Sequence, residues 1–305
     1  MSKKRKAEKI LFLLFIVAII YSLLLFHAHY KSPKEAFIDY QTTNPFIGEK
    51  TLIAAHRLGG GDETEESIKA LESAILSGAE ILELDIHLTK DNNLILLHDE
   101  NFNRTTDNKD NLRPEDMTLS EIKKLNLITD SSDDELKVLT LDEVFDFITD
   151  KSIRYIIEIK SKKEEGIKAL DILYQKIKER DLLDKVIFGT FDKELTKYCG
   201  AKYPLLIRSA SIGEAIEFYF AALIDKKDYK PPCSVLQVFY GKDYYKFGLN
   251  LATARVINYA HKHDMAIQYW TVNEDDEINY LLDANADAII TDNVKMAVEL
   301  KRLKD

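Results

Sequence analysis

From Thr51 onward the sequence alternates short β-type runs with amphipathic helical runs, and this alternation restricts the fold more than any other feature. Such an order is typical of a parallel sheet wrapped by helices. Runs with the length and composition of strands lie at about 51–56, 80–88, 154–160, 185–190, 204–208, 234–239, 266–272 and 287–291. Helical runs separate most of them. This number of repeats predicts a closed α/β barrel.

The connection after the second predicted strand is the longest in the chain. Within 83–99 we predict a strand, a tight turn at Asp91-Asn92 and a returning strand, in a register that pairs Asp85 with His98. About fifty further polar residues follow before the next helix. Long insertions in compact domains are usually functional, so the insertion at about 89–139 is a candidate lid or substrate-binding element.

The N-terminus has a basic tail, residues 1–9, and then an uncharged apolar run from Ile10 to Phe26. That length is close to the minimum for a membrane-spanning helix. We expect an uncleaved transmembrane anchor at 10–28 rather than a cleaved secretory signal, because a poor cleavage site follows. The basic residues before it predict a single-pass protein of the cell membrane, with a cytoplasmic N-terminus and the catalytic part outside. A polar tether at 29–49 then leads to one domain at 50–305.

The chain is acidic, with a formal net charge of −10 at pH 7. No clustered Lys and Arg residues mark a nucleic-acid-binding face, so we expect small partners and no nucleic acid. Cys199 and Cys233 are the only cysteines. They are too few for a disulfide framework and are either two buried free thiols or one bridge.

Polar side chains lie at the ends of several predicted strands, where barrel enzymes build their active sites. The first strand ends in His56-Arg57, and the glycines at 59–61 that follow suit close approach of an anion. The remaining candidates are Glu83 and Asp85 on the second strand, His98 on its partner, Glu158 and Lys160 on the third, Trp270 on the seventh and Asp292 after the eighth. The pattern predicts one polar site at this face.

Three carboxylates in one barrel mouth, those of Glu83, Asp85 and Glu158, repel one another unless a cation neutralises them. Oxygen ligands favour Ca²⁺ or Mg²⁺ over Zn²⁺, so we expect a hard divalent cation. An internal ion-pair network, in which Arg57 and Lys160 balance the acids without a metal, is the alternative.

Two histidines, His56 and His98, are predicted to lie on opposite sides of this cation. Imidazole titrates near neutral pH, so both are candidates for acid–base chemistry. His87 shares a strand face with Asp85 but lies nearer the turn, and we expect it to contribute at most from behind the site.

Short motifs in a consistent order resemble the glycerophosphodiester phosphodiesterase family over about 51–298. They are His56-Arg57, Glu65, Glu83-Leu84-Asp85, Thr89-Lys90-Asp91, His98-Asp99, Arg104-Thr105-Thr106, Glu158-Ile159-Lys160, Trp270-Thr271-Val272-Asn273 and Ile290-Thr291-Asp292. The resemblance implies a TIM (β/α)8 barrel with a small insertion after its second strand. It also implies a hydrolase that converts a glycerophosphodiester to an alcohol and glycerol 3-phosphate.

The resemblance assigns a role to each candidate residue. Metal binding falls to Glu83, Asp85 and Glu158, acid–base chemistry to His56 and His98, phosphate binding to Arg57 and Lys160, and contact with the organic part of the substrate to Trp270. The first loop departs from the family, which usually has Gly at Leu58 and Pro-Glu-Asn-Thr at 64–67. No proposed metal, acid–base or phosphate position is lost.

Other functions fit the same residues. Lysophospholipase D or sphingomyelinase D activity on a lipid headgroup would use the same metal and histidines. Trimming of polyglycerol phosphate in a bacterial envelope would suit an outward-facing domain. A catalytically silent, membrane-tethered binding module would keep the barrel without the chemistry.

Overall fold

The computed structural model describes residues 3–26, 38, 40–61, 63–129, 135–241 and 250–304. Its strands are β1 (Leu52–Ala55), β2 (Ile81–Leu88), β3 (Leu94–Leu96), β4 (Arg154–Ile159), β5 (Val186–Gly189), β6 (Val235–Phe239), β7 (Ala266–Trp270) and β8 (Ala288–Thr291). Seven of them form a nearly closed parallel barrel in the order β5–β4–β2–β1–β8–β7–β6, and β3 pairs antiparallel with β2. The predicted parallel barrel is confirmed.

The run predicted as a strand at 204–208 forms no regular strand. Instead, isolated parallel bridges join Phe188 of β5 to Arg208, and Ser209 to Val235 of β6. These two bridges span the gap between the edge strands. The pairing stays short because residues 203–206 form a turn, in which Leu206 N donates to Tyr203 O at 3.0 Å.

Helices alternate with the strands and cover the barrel. They are α1 (Lys3–Phe26), α2 (Ile68–Ser77), α3 (Leu119–Ile122), α4 (Leu141–Phe147), α5 (Lys163–Glu179), α6 (Lys193–Lys202), α7 (Ile212–Leu223), α8 (Ala254–Lys262), α9 (Asp275–Asp283) and α10 (Val294–Lys304). Ser67 caps α2 by accepting a hydrogen bond from Ala70 N, so this helix begins at Ile68. Glu65 and Glu66 therefore belong to the loop that enters the helix.

Apolar side chains fill the barrel interior near the amino ends of the strands. Ile81 and Ile156 belong to this interior cluster, and Phe46 joins it from the segment before β1. Because side chains alternate along a strand, residues two and four positions after Ile81 face the same side. Glu83 and Asp85 consequently point inward at the other end of the barrel.

The predicted hairpin forms, but its register is shifted by one residue. Leu97 N donates to Asp85 O at 3.1 Å, so Leu97 rather than His98 lies opposite Asp85. The connection comprises residues 89–93, and Asn92 has the positive φ, 66°. A type I′ two-residue turn needs positive φ at both central residues, which explains the longer turn.

The insertion after β2 has its own apolar cluster, built mainly from residues within 95–138. It includes β3, a single 3-10 turn at Pro114–Asp116 and the short helix α3. Residues 130–134 of the predicted insertion lie outside the described residues. The insertion therefore packs as a small layer beside the barrel mouth.

No helix among the described residues is both long and apolar enough to cross a membrane. Basic residues occupy the first turns of α1, and its uncharged run reaches only from Ile10 to Phe26, whereas a span needs about 20 apolar residues. The predicted transmembrane anchor at 10–28, and the single-pass location with an outside catalytic part, are therefore wrong. Residues 27–37 and 39, which include the end of that segment and much of the predicted tether, lie outside the described residues.

Both cysteines are buried free thiols. Cys199 lies on α6 and Cys233 just before β6. Burial raises the pKa of Cys199 to about 11 and that of Cys233 to about 12, so both stay protonated at neutral pH. The sequence left two alternatives, two free thiols or one disulfide bridge, and the structure has two free thiols.

Candidate active site

A strained turn at the end of β1 places His56 and Arg57 at the barrel mouth. Arg57 and Leu58 have left-handed backbone, with φ of 48° and 63°. Leu58 is fully buried, so a leucine occupies a conformation that glycine adopts with less strain. Gly61 then passes so close to the loop after β8 that a Cβ would lie 2.4 Å from Asp292 O. The loops after β1 and β8 are thus in close contact, which places His56 beside Asp292.

Glu83 is buried and holds this turn in place through a hydrogen bond to its backbone. Its Oε2 accepts a hydrogen bond from Arg57 N at 2.7 Å. Burial and the nearby carboxylates of Asp85 and Glu158 raise the pKa of Glu83 to about 8, although His56 and the Arg57 amide act in the opposite direction. Burial and the neighbouring acids therefore favour the neutral form of this carboxyl.

Lys160 lies between two carboxylates on the neighbouring strands. Its Nζ is 3.0 Å from Asp85 Oδ1 and 2.9 Å from Glu158 Oε1. Arg57 Nε is 3.7 Å from Asp85 Oδ2. The predicted residues are thus brought together, in the ion-pair arrangement that the sequence left as an alternative.

Glu66 is a further buried acid that the sequence did not single out. Its Oε1 accepts a hydrogen bond from Asp85 N at 2.9 Å. Burial, and then the charge of Asp85, raise the pKa of Glu66 well above its ordinary value. The sequence does contain one signal, a glutamate where the resembled family usually has Asn. Only the fold shows that this side chain points inward.

The donor chemistry of this cluster fits a divalent cation. Burial raises the pKa of Glu158 as well as that of Glu83, despite the nearby charge of Lys160. Asp85 is buried, and its carboxylate oxygens have the ion pairs with Lys160 and Arg57 but no hydrogen bond of standard geometry. Clustered carboxylate oxygens of this kind are the ligands that a hard divalent ion prefers.

The side chains as placed do not form a complete cage. Among the described residues, no group of three or more His, Cys, Asp or Glu side chains has metal-holding geometry. Lys160 contributes to this, because its ammonium group lies between two of the candidate ligands.

His56 belongs to a hydrogen-bonded chain at the ends of β7 and β8. Its Nδ1 lies 2.6 Å from Asp292 Oδ1, and Asn273 Nδ2 donates to Asp292 Oδ2 at 2.7 Å. Burial lowers the pKa of His56, but the hydrogen bond with Asp292 and the charge of Glu83 outweigh it and raise the pKa overall. The sequence placed Asn273 and Asp292 at strand ends without connecting them to His56.

His98 is held by a second carboxylate, on the insertion side of the mouth. Its Nδ1 lies 2.8 Å from Asp99 Oδ1. Burial lowers the pKa of His98, and the hydrogen bond with Asp99 does not offset this. Each imidazole therefore contacts a carboxylate through Nδ1, but the pKa values of the two histidines shift in opposite directions.

His87 does not reach the mouth and belongs to another buried cluster. Its Nδ1 lies 2.9 Å from Glu115 Oε1, and Ser161 Oγ donates to the same oxygen at 2.6 Å. Glu115 lies on the insertion, and Ser161 directly follows Lys160. The cluster therefore fixes the insertion to the strand ends that carry the site.

Aromatic side chains line the mouth. Trp270 ends β7 and is half-buried, with its side chain against the interior cluster. Phe191 follows β5 and is 63% exposed, and its ring centre lies 6.0 Å from Lys160 Nζ. Apolar surface is thus available beside the charged groups.

Comparison with known proteins identifies the family. Residues 56–296 match the glycerophosphoryl diester phosphodiesterase family. The chain belongs to this family. It is accordingly a phosphoric diester hydrolase of the group that acts on glycerophosphodiesters, and the family is generally dependent on divalent metal ions.

Relatives of this phosphodiesterase cover almost the whole barrel. It is 30% identical to a glycerophosphodiester phosphodiesterase from Caldanaerobacter subterraneus, over 83% of this chain and 98% of that protein. It is 28% identical to one from Bacillus subtilis, over 83% of this chain and 87% of that protein.

Solved structures share the fold. A glycerophosphodiester phosphodiesterase from Agrobacterium tumefaciens matches with a TM-score of 0.65 at 18% identity, covering 83% of this chain and 99% of that chain. An Oleispira antarctica phosphodiesterase, in complex with the product sn-glycerol-3-phosphate, matches with a TM-score of 0.65 at 18% identity, covering 82% and 96%. At this identity the similarity supports the barrel fold.

Proposed function

We propose that this chain hydrolyses glycerophosphodiesters to an alcohol and glycerol 3-phosphate, with a divalent cation, Ca²⁺ or Mg²⁺, and two histidines. One observation carries the proposal. His56 and His98 each bond a carboxylate through Nδ1 at the mouth that also holds the inward acids Glu83, Asp85 and Glu158. An imidazole oriented through Nδ1 uses Nε2 to exchange a proton with a substrate.

Glu83, Asp85 and Glu158 would hold the cation. When bound, it supplies positive charge that stabilises the developing charge on the phosphodiester. With their charge balanced by a cation, these acids would no longer hold Arg57 and Lys160. Both side chains would then be available to contact the phosphate oxygens, the guanidinium through two parallel hydrogen bonds.

The histidines move the protons of the reaction. One removes the proton of the attacking oxygen, which belongs to water or to the neighbouring glycerol hydroxyl, and the other protonates the departing alkoxide. Burial lowers the pKa of both, but Asp292 and Glu83 reverse this at His56, while His98 keeps a lowered pKa.

Alanine variants test the histidines. Because general acid–base catalysis contributes about 10²- to 10⁴-fold, His56→Ala and His98→Ala should each lower kcat by that order. His263→Ala serves as the control, since His263 follows α8 at the opposite end of the barrel. Near-wild-type turnover in both site variants would remove the acid–base assignment.

Chelation tests the cation. Extensive treatment with EDTA should abolish release of glycerol 3-phosphate, and titration with Ca²⁺ or Mg²⁺ should restore it. Full activity in metal-depleted protein would favour the internal ion-pair arrangement and contradict the metal role.

Lysophospholipase D-type activity is the second candidate, because the exposed Phe191 ring offers apolar surface beside Lys160 and Trp270 ends β7 at the same face of the barrel. A panel of glycerophosphocholine, glycerophosphoglycerol, lysolipids and teichoic-acid fragments separates the candidates. Preferential cleavage of lysolipids would favour the second one. Binding of these compounds without turnover would instead indicate a silent binding module.

A further inference from the structure

We propose that Arg104 is a positioning residue that holds both His98 and Arg57 in place for the reaction. The inference rests on the proposed function, since it gives these two residues their roles. Arg104 lies in the insertion, outside the barrel strands, and its side chain is 49% exposed. It is placed between two carboxylates, each of which contacts one of the two site residues.

The guanidinium of Arg104 forms a two-point contact with each carboxylate. Toward Asp99, Nε lies 2.7 Å from Oδ2 and Nη2 lies 2.9 Å from Oδ1. Toward Glu65, Nη1 lies 3.0 Å from Oε2 and Nη2 lies 2.6 Å from Oε1. Paired N–H···O contacts of this kind restrain orientation as well as distance.

The first carboxylate leads to His98. Asp99 Oδ1 accepts a hydrogen bond from Arg104 Nη2 and also lies 2.8 Å from His98 Nδ1. The hydrogen bond from Arg104 lowers the pKa of Asp99 to about 2, so Asp99 stays ionised behind the imidazole. Arg104 therefore restrains both the direction and the charge of the group that orients His98.

The second carboxylate leads to Arg57. Arg57 Nη1 lies 3.2 Å from Glu65 Oε2 and 3.4 Å from Glu65 Oε1, the same two oxygens that contact Arg104. Without Arg104, Glu65 would pair with Arg57 alone and could follow it away from the phosphate position. One guanidinium thus sets the spacing between the acid–base group and the phosphate-binding group.

Lysine cannot replace this arrangement. Its ammonium is a compact point charge, whereas the planar guanidinium presents several donors at fixed angles to two carboxylates at once. We therefore expect Arg104→Lys to keep the charge and the fold but lower kcat/KM by about 10- to 100-fold, the range seen when a supporting partner of a site residue is lost. Arg113→Lys is the matched control, because Arg113 lies in the same insertion and pairs with Glu115 at 3.1 Å.

Separate measurement of kcat and KM distinguishes positioning from stability. Asp99→Asn should lower kcat with little change in KM, because it acts on His98. Glu65→Gln should chiefly raise KM, because it acts on Arg57, and Arg104→Lys should change both. In a His98→Ala background, Arg104→Lys should cause no further loss of kcat and should still raise KM.

Two outcomes would overturn the proposal. One is Arg104→Lys with kcat and KM equal to those of Arg113→Lys. The other is an equal loss of kcat from Arg104→Lys with and without His98. Near-wild-type turnover of His98→Ala would instead contradict the proposed function itself, so the two failures are distinguishable. Thermal unfolding of every variant shows whether the kinetic changes occur in folded protein.

Discussion

At the scale of single residues, the two imidazoles show how similar contacts produce different acidities. Both have a carboxylate at Nδ1, and burial lowers the pKa of both. A further acid raises the pKa of each, Glu83 at His56 and Asp85 at His98, and Arg57 lowers both, but Lys160 acts against His98. Local sequence identifies such histidines, but their pKa depends on charges supplied by distant segments.

Removing the charge behind His56 should reverse its pKa shift. In Asp292→Asn, burial remains while the charged hydrogen-bond partner is lost, so we expect the pKa of His56 to fall below the ordinary imidazole value of about 6.5. NMR titration of the His56 ring in metal-free protein measures this. Asp99→Asn is the control and should leave the pKa of His56 unchanged. A pKa of His56 that stays raised in Asp292→Asn would contradict the assignment.

Gly61 is a second residue whose surroundings decide its role. A Cβ there would lie 2.4 Å from the backbone oxygen of Asp292, so Gly61→Ala should push apart the loops that join His56 to Asp292 and lower kcat at least about tenfold. Gly200→Ala is the control, because nothing lies within 4 Å of a Cβ at Gly200 on α6. That control should keep its activity and gain about 0.5–1 kcal/mol in free energy of unfolding. Equal kinetics in both variants would show that the loops tolerate separation.

At the scale of elements, the insertion is fixed to the barrel through a buried polar cluster. Glu115 on the 3-10 turn accepts hydrogen bonds from His87 of β2 and from Ser161 after β4. Ser161 Oγ in turn accepts from Leu88 N at 2.9 Å. The cluster joins the insertion to two barrel strands next to the site.

The charge of Glu115 should make this attachment sensitive to acid. Burial alone would raise its pKa, but the hydrogen bonds from His87 and Ser161 lower the pKa to about 2. A carboxyl with a depressed pKa contributes stability that is present above its unfolded value, near 4.5, and is lost as the pH falls toward 2. Glu115→Gln should therefore lower the free energy of unfolding by about 1–3 kcal/mol at pH 7.

Denaturant unfolding from pH 7 down to pH 3 measures this difference. The gap in free energy of unfolding between the natural protein and Glu115→Gln should narrow below about pH 4.5, because the Glu115 carboxylate becomes protonated in the unfolded state. Glu164→Gln, on the exposed side of α5, is the control and should change little at any pH. A gap that is constant with pH would rule out the charge of Glu115 as its cause.

At the scale of the whole molecule, the segment before β1 is part of the barrel. Asn44 Nδ2 donates to Ser234 O at 2.7 Å and to Asp264 O at 3.1 Å. Phe46 is fully buried in the interior cluster, and Arg154 lies over its ring at 5.7 Å. The end of the barrel opposite the site is thus closed by residues from outside the strand–helix repeat.

Loss of the Phe46 ring should destabilise the entire barrel. Phe46→Ala removes a fully buried aromatic side chain, so we expect the free energy of unfolding to fall by about 3–5 kcal/mol. Phe147→Ala is the control, since Phe147 ends α4 with 41% of its surface exposed, and its cost should be well under half as large. Urea unfolding measures the free energy of unfolding of both variants. Equal losses would contradict the role of Phe46 in closing this end of the barrel.

Much of the architecture followed from local patterns. Short runs with the length and composition of strands placed seven barrel strands within one or two residues of their observed ends, because strands covered on both faces read as nearly continuous apolar runs. Strand-end motifs also located the acids and histidines that meet at the mouth. The apolar run that predicted a membrane anchor was misleading, because no helix among the described residues is both long and apolar enough to cross a membrane.

Long-range contacts decided the remainder. The one-residue shift between β2 and β3, the bridges at Arg208 and Ser209, and the inward turn of Glu66 all depend on partners distant in the chain. The placement of Lys160 between two acids and of Arg104 between Asp99 and Glu65 has the same origin. A side chain's residue type limits which bonds it can form, but only packing of distant segments determines which partner lies within 3 Å and how much water remains to compete.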